Sequence, residues 1–127
     1  MPAYDDRRFS PPAPLATVEL RRPDERAGDP SVPMLIDSGA DVTLLPKSVI
    51  ESLGIVGTPE TYQLIAFDGT TSESRAARAD LVFLGRRFRG LFLVTDAEVG
   101  VLGRDVLNHI RLLLDGPAAS WEELRRS

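Results

Sequence analysis

Apolar and polar residues alternate early in the chain as they do in a β-strand with one buried face. Across Leu15–Leu20, the residues Ala16, Val18 and Leu20 fall on the same side of such a strand. The next apolar segment, Val32–Ile36, is a continuous run, which is typical of a strand buried on both faces. It stops abruptly at the polar sequence that begins with Asp37. The pattern therefore predicts a buried strand that delivers a polar loop into the interior.

The rest of the pattern predicts a mostly β domain with one or two short helices. Pro46 suits the first turn of a helix, and Gly54 suits its end. A strand is predicted over 42–45, followed by a helix with Val49, Ile50 and Leu53 on one face. Two hairpins are predicted next: one joins 62–67 to a strand that starts at Thr70, with Asp68-Gly69 as its tip, and the other joins 79–84 to 88–94, with Gly85-Arg86 as its tip. The last predicted elements are a buried run over 99–103, a short helix over 104–110 and a strand over 111–114. This order of elements indicates a small closed barrel or a sandwich.

The length of 127 residues allows one domain with a single modest core. Residues 1–14 are rich in proline and poor in large apolar side chains, which predicts a flexible arm. The domain itself is expected over 15–115. A polar C-terminal tail is expected over 116–127, where Trp121 and Leu124 are the exceptions.

Charge and composition restrict the partners of the protein. A net charge of -4 argues against a nucleic-acid-binding surface. One basic cluster, Arg86–Arg89, is expected to be a solvated hairpin rather than a docking site for an acidic partner. No apolar run reaches the roughly 20 residues that a membrane-spanning helix needs. The absence of cysteine and of an apolar leader at the N-terminus predicts a cytoplasmic protein.

The residue types in the chain indicate that any catalysis would use carboxylate side chains. The chain has one histidine, His109, whereas a zinc hydrolase usually needs three protein ligands. A serine triad would have to use the same histidine, and no G-x-S-x-G motif is present. No glycine-rich nucleotide-binding motif occurs either. We therefore expect neither a metal nor another cofactor.

Asp37 is the most informative carboxylate because apolar strands flank it on both sides. Burying a charge costs several kcal/mol of hydration, and proteins accept that cost mainly for ion pairs or for function. The plain alternative is a turn in which the carboxylate accepts a hydrogen bond from the backbone near Gly39. Local physics favours the turn and leaves the functional interpretation open.

Two motifs together resemble the retropepsin-like aspartic protease family. Asp-Ser-Gly-Ala at 37–40, between apolar strands, resembles the active-site loop of that family. Val101–Asp105 resembles its second signature, in which two apolar residues, glycine and arginine lead into a short helix. The resemblance covers about residues 15–115. It implies a small closed barrel of the retropepsin type whose active site lies at a homodimer interface.

The resemblance also implies a role for each matching residue. Asp37 would be the catalytic aspartate, Ser38 the hydroxyl that bonds to the partner's loop, and Gly39 an open backbone amide. Asp41 and Arg104 would form an ion pair that, with Gly103, supports the loop. Ser38 stands where many family members have threonine, and both residues supply the hydroxyl. The tip of the hairpin would be the flap, with less glycine than in viral members. The substrate-binding residues implied are Ala40, Asp41, Ile65, Ala66, Phe67, Asp68 and Gly69.

The implied activity is that of an aspartic endopeptidase acting on peptides or unfolded proteins, without a cofactor. Two carboxylates would share one proton and activate a water. The chain has one Asp-Ser-Gly loop, so the second Asp37 would come from an identical partner. Two alternatives stay open: a catalytically silent dimeric module that binds peptides, and a structural β-domain whose loop matches by coincidence. Neither a nucleic acid nor a membrane is an expected partner.

Overall fold

The structure is a computed structural model that describes residues 2–23, 25, 31–66 and 68–125. None of the helices in these ranges is long and apolar enough to cross a membrane. The elements are β1 (Tyr4–Asp5), β2 (Ala13–Arg21), β3 (Val32–Ile36), β4 (Leu44–Pro46), α1 (Lys47–Ser52), β5 (Thr61–Ile65), β6 (Thr71–Phe83), β7 (Arg86–Thr95), β8 (Gly100–Leu102), α2 (Arg104–Leu107), β9 (Leu112–Asp115) and β10 (Ser120–Glu123).

The main sheet closes into a barrel, as the sequence predicted. Its strands are neighbours in the order β1, β2, β3, β8, β4, β7, β6, β5, and β6 also pairs back to β2. Two of the pairings are parallel, β3 with β8 and β4 with β7. These parallel pairs bring the start of the polar loop after β3 next to the end of β8. The two motifs noted in the sequence therefore lie side by side.

The strands form because their apolar positions face one core. In β2 the alternation is as predicted, with Ala16, Val18 and Leu20 buried. In β3, by contrast, only every second residue is buried, so its other face is half-covered rather than fully buried as the apolar run suggested. The largest fully buried side chains include Phe83, Leu20, Met34, Leu45, Leu81 and Leu102.

The hairpin between β6 and β7 turns one residue earlier than predicted. Phe83 pairs with Arg86, so the two loop residues are Leu84 and Gly85. Both have positive φ, 53° and 76°. A two-residue turn of this kind requires positive φ at both central positions, which matches the right-handed twist of the flanking strands. The turn geometry, rather than the position of glycine alone, sets the register.

The expected flexible arm and polar tail pair with each other and with the barrel, which corrects the prediction for both segments. β1 lies antiparallel to β2, and Ala3 forms a bridge with Ser120. Trp121 is 3% exposed, and its indole Nε1–H donates to the carbonyl oxygen of Leu15 at 3.0 Å. Burial of this ring holds the C-terminal segment against the barrel, and local composition does not reveal such a long-range partner.

The basic cluster Arg86–Arg89 is held by carboxylates rather than being a simply solvated hairpin. Asp80 is fully buried and accepts hydrogen bonds from Nε of Arg89 at 2.9 Å and Nη2 at 3.1 Å. Arg86 forms an ion pair with Glu123 at 2.5 Å. The arginine side chains stay about half exposed, so the cluster is partly neutralised at its base and solvated at its ends.

Candidate active site

Asp37 lies at the start of the loop between β3 and β4. Its N–H donates to the carbonyl oxygen of Leu102 at 3.1 Å, which ties the loop to β8. The N–H of Gly39 donates to Oδ1 of Asp37 at 2.9 Å. This is the turn that local physics predicted, and it fixes the orientation of a half-buried carboxylate. The turn and a catalytic role are compatible, because only one carboxylate oxygen is used in it.

Gly103 lets the second motif pack directly against the loop. A Cβ atom at this position would lie 2.4 Å from the carbonyl oxygen of Val42 and 2.5 Å from its carbonyl carbon. Side-chain carbons do not approach backbone atoms so closely, so only glycine fits without a shift. The next residue continues the contact, because the N–H of Arg104 donates to the carbonyl oxygen of Ala40 at 2.8 Å.

Thr43 joins the loop to α2 through a side-chain network that sequence reasoning missed. Its hydroxyl is fully buried and donates to Oδ1 of Asp105 at 2.6 Å, while it accepts the N–H of Gly103 at 3.0 Å. Its own N–H donates to Oδ2 of Asp105 at 3.1 Å. Asp105 follows directly after the glycine and arginine of the second motif, and this position was the signal in the sequence that could have indicated the network.

Arg104 does not form the ion pair with Asp41 that the resemblance implied. In the part of the chain that the structure describes, Nη1 of Arg104 donates to the backbone carbonyl oxygen of Ser38 at 2.8 Å. Both Arg104 and Asp41 are exposed. Water solvates both charges well, so a backbone acceptor competes effectively with the carboxylate. Arg104 still contacts the loop, but through Ser38.

The hairpin of β5 and β6 has the tip Ala66–Thr70. At this tip Gly69 has φ of +85°, as the Asp-Gly signal predicted. Oδ1 of Asp68 accepts the hydroxyl of Thr70 at 2.6 Å and its N–H at 2.9 Å. Both hydrogen bonds hold the pKa of the Asp68 carboxyl below its ordinary value, and the one from the Thr70 hydroxyl has the larger effect. The ionised side chain therefore stabilises the turn.

A cavity of about 460 Å³ lies between the Asp37 loop and this hairpin. The hairpin side contributes apolar residues, including Ile65, which is 73% exposed. A larger cavity of about 580 Å³ lies beside His109 and contains none of the predicted site residues. The residues that line the cavity below the hairpin are Asp37, Gly39, Ala40, Asp41, Val42, Leu44, Leu64, Ile65, Ala66, Thr70, Thr71, Ser72 and Thr95.

The structure brings together about half of the predicted site. Asp37, Gly39, Ala40, Asp41, Ile65 and Ala66 share the cavity. Ser38 and Arg104 line a different, neighbouring cavity. Asp68 and Gly69 lie exposed at the hairpin tip, Gly103 is buried behind the loop, and Phe67 lies outside the described residues.

Five of the cavity residues that the sequence did not indicate lie in strands, and Val42 and Thr70 lie just before β4 and β6. Together these residues are Val42, Leu44, Leu64, Thr70, Thr71, Ser72 and Thr95. Leu64 and Ser72 are direct partners across the hairpin. A two-residue turn at Asp68-Gly69 would instead pair Leu64 with Glu73, so the predicted tip did not indicate this pair. Thr95 ends β7, and only the parallel pairing of β7 with β4 brings it near the loop.

Comparisons with known proteins agree with this architecture. A family model described as "Aspartyl protease" matches residues 26–106. The structure of EIAV protease complexed with the inhibitor HBY-793 is similar with a TM-score of 0.58 and 25% sequence identity, over 76% of this chain and 86% of that chain. The solution structure of Simian Foamy Virus (mac) protease shares the fold, with a TM-score of 0.53 and 15% identity over 74% of this chain and 91% of that one.

A search of the curated proteins gives no match. The matched family model nevertheless spans both motifs up to α2 and includes the Asp37 loop, Gly103 and Arg104. The two viral proteases match the closed barrel in which these motifs pack side by side. The chain therefore belongs to the aspartyl protease family and is retropepsin-like.

Proposed function

We propose that this chain is an aspartic endopeptidase whose active site is completed by two copies, each supplying Asp37. The observation that carries the proposal is the position of this side chain. Asp37 lies half-buried in a cavity of about 460 Å³, below a hairpin with exposed apolar residues. The loop that carries it is fixed by backbone hydrogen bonds to β8 and α2. A carboxylate held rigidly in a peptide-sized cleft suits general acid–base chemistry.

The need for a second copy follows from the single Asp-Ser-Gly loop in the chain. Two carboxylates a few ångströms apart cannot both be ionised, so the pair would share one proton. The ionised member would take a proton from a bound water, which attacks the scissile carbonyl carbon. The protonated member would donate to the carbonyl oxygen and stabilise the tetrahedral intermediate. When the intermediate collapses, the carboxyl that took the water's proton passes it to the leaving amine, and the other carboxylate takes back a proton from a hydroxyl of the gem-diol. The pair therefore returns to its starting state with one shared proton.

The cavity lining supports a peptide substrate in an extended conformation. Leu44, Leu64 and Ile65 offer apolar contacts, and the polar residues Thr71 and Ser72 lie beside them. The hairpin above the cavity is the candidate flap, since its tip is exposed and held by the short network of Asp68 and Thr70. Closure over a bound peptide would exclude water from the reacting atoms.

The supporting residues have distinct proposed roles. Gly39 would leave its side of Asp37 open to substrate, since it carries no side chain there. Ser38 would brace the partner's loop, and Arg104 would position Ser38 through the bond to its carbonyl oxygen. Gly103 would allow α2 to support the loop from behind.

Hydrolysis of a random peptide library by the purified protein tests the proposal. We expect cleavage that a statine-type inhibitor or HBY-793 blocks. Asp37→Asn should lower kcat by at least ~10², because it removes the base and the shared proton together. The matched control Asp6→Asn changes an exposed carboxylate of the N-terminal segment and should keep wild-type kcat. Equal activity of Asp37→Asn and wild type would refute the assignment. Peptide binding without cleavage would identify a silent peptide-binding module instead.

A further inference from the structure

We propose that the cavity of about 580 Å³ beside His109 is a second binding site, which takes an acidic peptide segment through arginine side chains. We call it the arginine cavity, after Arg86, Arg111 and Arg125 in its lining. It shares no lining residue with the Asp37 cavity, so this site goes beyond the proposed catalysis and does not depend on it.

Three segments that are far apart in the sequence each bring one arginine to the cavity. Arg86 begins β7, Arg111 precedes β9 and Arg125 follows β10. A backbone contact joins two of these segments, because the N–H of Leu124 donates to the carbonyl oxygen of Arg111 at 2.9 Å. The cavity is therefore a product of the tertiary structure, and only Arg86 belongs to the basic cluster that is visible in the sequence.

The charges around the cavity are unbalanced. Among the described residues, Glu123 is the one carboxylate that lines it, against three arginines. Oε2 of Glu123 lies 2.5 Å from Nη1 of Arg86, and Oε1 lies 3.3 Å from Nε of Arg125. The Glu123 side chain is only 8% exposed, so it holds these two guanidinium groups from below. Arg111 is exposed and adds positive charge that Glu123 does not balance. The cavity therefore favours an anionic ligand.

The contacts of Glu123 indicate that a carboxylate suits the cavity. An arginine carries five N–H donors in a planar fork that matches a carboxylate. Arg86 and Arg125 approach Glu123 through one nitrogen each, so most of their donors are not committed to this carboxylate. The chain itself places a glutamate at the end of the extended strand β10, followed by Leu124, in this lining. A second extended segment with a carboxylate can use the remaining donors.

Apolar side chains favour a peptide over a simple inorganic anion. Leu84, Ile110 and Leu124 line the cavity beside the arginines, and Leu124 is 46% exposed. Leu84 holds a φ of +53°, which a leucine rarely adopts. Strained backbone of this kind persists only where the surrounding structure fixes it, and it is concentrated at functional sites. A segment that carries both a carboxylate and an apolar side chain would contact both parts of the lining.

His109 gives a direct readout of binding by nuclear magnetic resonance, because it is the only histidine of the chain and lines the cavity. In tag-free protein labelled at histidine, the ring signals therefore report on this cavity alone. The probe is a short peptide of alternating glutamate and leucine, and the control peptide has glutamine in place of each glutamate. We expect a saturable shift with the probe and none with the control. The indole signal of Trp121, the only tryptophan, is buried and should stay in place.

A pair of variants tests the role of the arginines. Arg111→Gln should raise the Kd of the probe about tenfold, which corresponds to the loss of one charge-assisted hydrogen bond. Arg78→Gln removes the same charge from an exposed position of β6 outside the cavity and should keep wild-type affinity. Added salt should also weaken binding, because it screens exposed charges. An unchanged Trp121 signal in each variant shows that the fold is retained.

The outcomes separate this site from the proposed activity. Equal affinity of Arg111→Gln and wild type, or equal binding of the glutamine peptide, would overturn the site. Displacement of the probe by inorganic phosphate at an equal concentration would identify a small-anion site and overturn the peptide assignment. A shift of the His109 signal that depends on glutamate and on Arg111 supports the site whether or not the chain cleaves peptides.

Discussion

At the scale of single residues, the candidate site depends on close contacts behind the Asp37 loop. Gly103 lies against the backbone of Val42, and the hydroxyl of Thr43 joins Gly103 to Asp105. Thr43 and Gly103 are buried, so water cannot replace the contacts that these two residues lose. Two substitutions test them separately, one by adding volume and one by removing a hydrogen bond.

Gly103→Ala should destabilise the fold because its Cβ would lie 2.4 Å from the carbonyl oxygen of Val42. Overpacking of this kind typically costs about 1–3 kcal/mol, measured as the free energy of unfolding in urea. Gly116→Ala is the matched control, since a Cβ at Gly116 meets nothing within 4 Å. Equal stability of the two variants would show that the loop and α2 are less closely packed than described.

Thr43→Val keeps the shape of the buried side chain but removes its hydroxyl. The N–H of Gly103 then loses its acceptor, and an unsatisfied buried group costs about 1–3 kcal/mol. Thermal melts should show a lower midpoint for Thr43→Val and little change for Thr17→Val, at an exposed position of β2. Thr43→Ser, which retains the hydroxyl, should recover part of the loss. A valine variant as stable as wild type would mean that the network contributes nothing.

At the scale of elements, the hairpin of β5 and β6 is the part that combines exposure with a position over the cavity. Its strand β5 is exposed at most positions, and its apolar residues Leu64 and Ile65 line the same cavity as the Asp37 loop. Few buried contacts hold it, so local opening should cost little free energy. The proposed function requires that this hairpin bend toward a bound peptide.

Gly69→Val should slow turnover because the tip needs a positive φ, +85°, which a β-branched residue resists. The local strain should be about 1–3 kcal/mol. Gly85→Val applies the same strain at the turn between β6 and β7, where Gly85 has φ of +76° and lies outside the cavity. Both variants should lose stability, but only Gly69→Val should lower kcat/KM on peptides. An equal loss of activity in both would assign the effect to stability alone.

At the scale of the whole molecule, the proposed site is half complete in one chain. A dimer with one Asp37→Asn subunit has a single carboxylate and should be almost inactive. Co-refolding equal amounts of wild type and Asp37→Asn leaves about a quarter of the dimers with both carboxylates under random pairing. Activity should therefore fall to about a quarter of that of wild type at the same total concentration.

The control for this experiment is mass-labelled subunits, which verify that exchange is complete. A site that is complete within each chain would retain about half of the activity. Dilution gives a second measurement, because specific activity should fall as the dimer dissociates.

The sequence by itself determined the class of fold and the two motifs. Alternation in β2, the apolar run before Asp37 and the Asp-Gly signal are local patterns, and each predicted its element because backbone geometry and solvent exposure act over a few residues. The family resemblance required only the residues at 37–40 and 101–105. Both the barrel and the family were confirmed.

Only the tertiary structure decided how distant segments meet. Arg104 bonds to the carbonyl oxygen of Ser38 rather than to Asp41, because in this fold both charges are exposed and a backbone acceptor is close. Trp121 holds the C-terminal segment on the barrel because its ring is buried and its indole N–H donates to the carbonyl oxygen of Leu15. Which residues contact one another depends on their proximity in the folded chain and on how far they are removed from water. A local stretch of sequence does not contain this information.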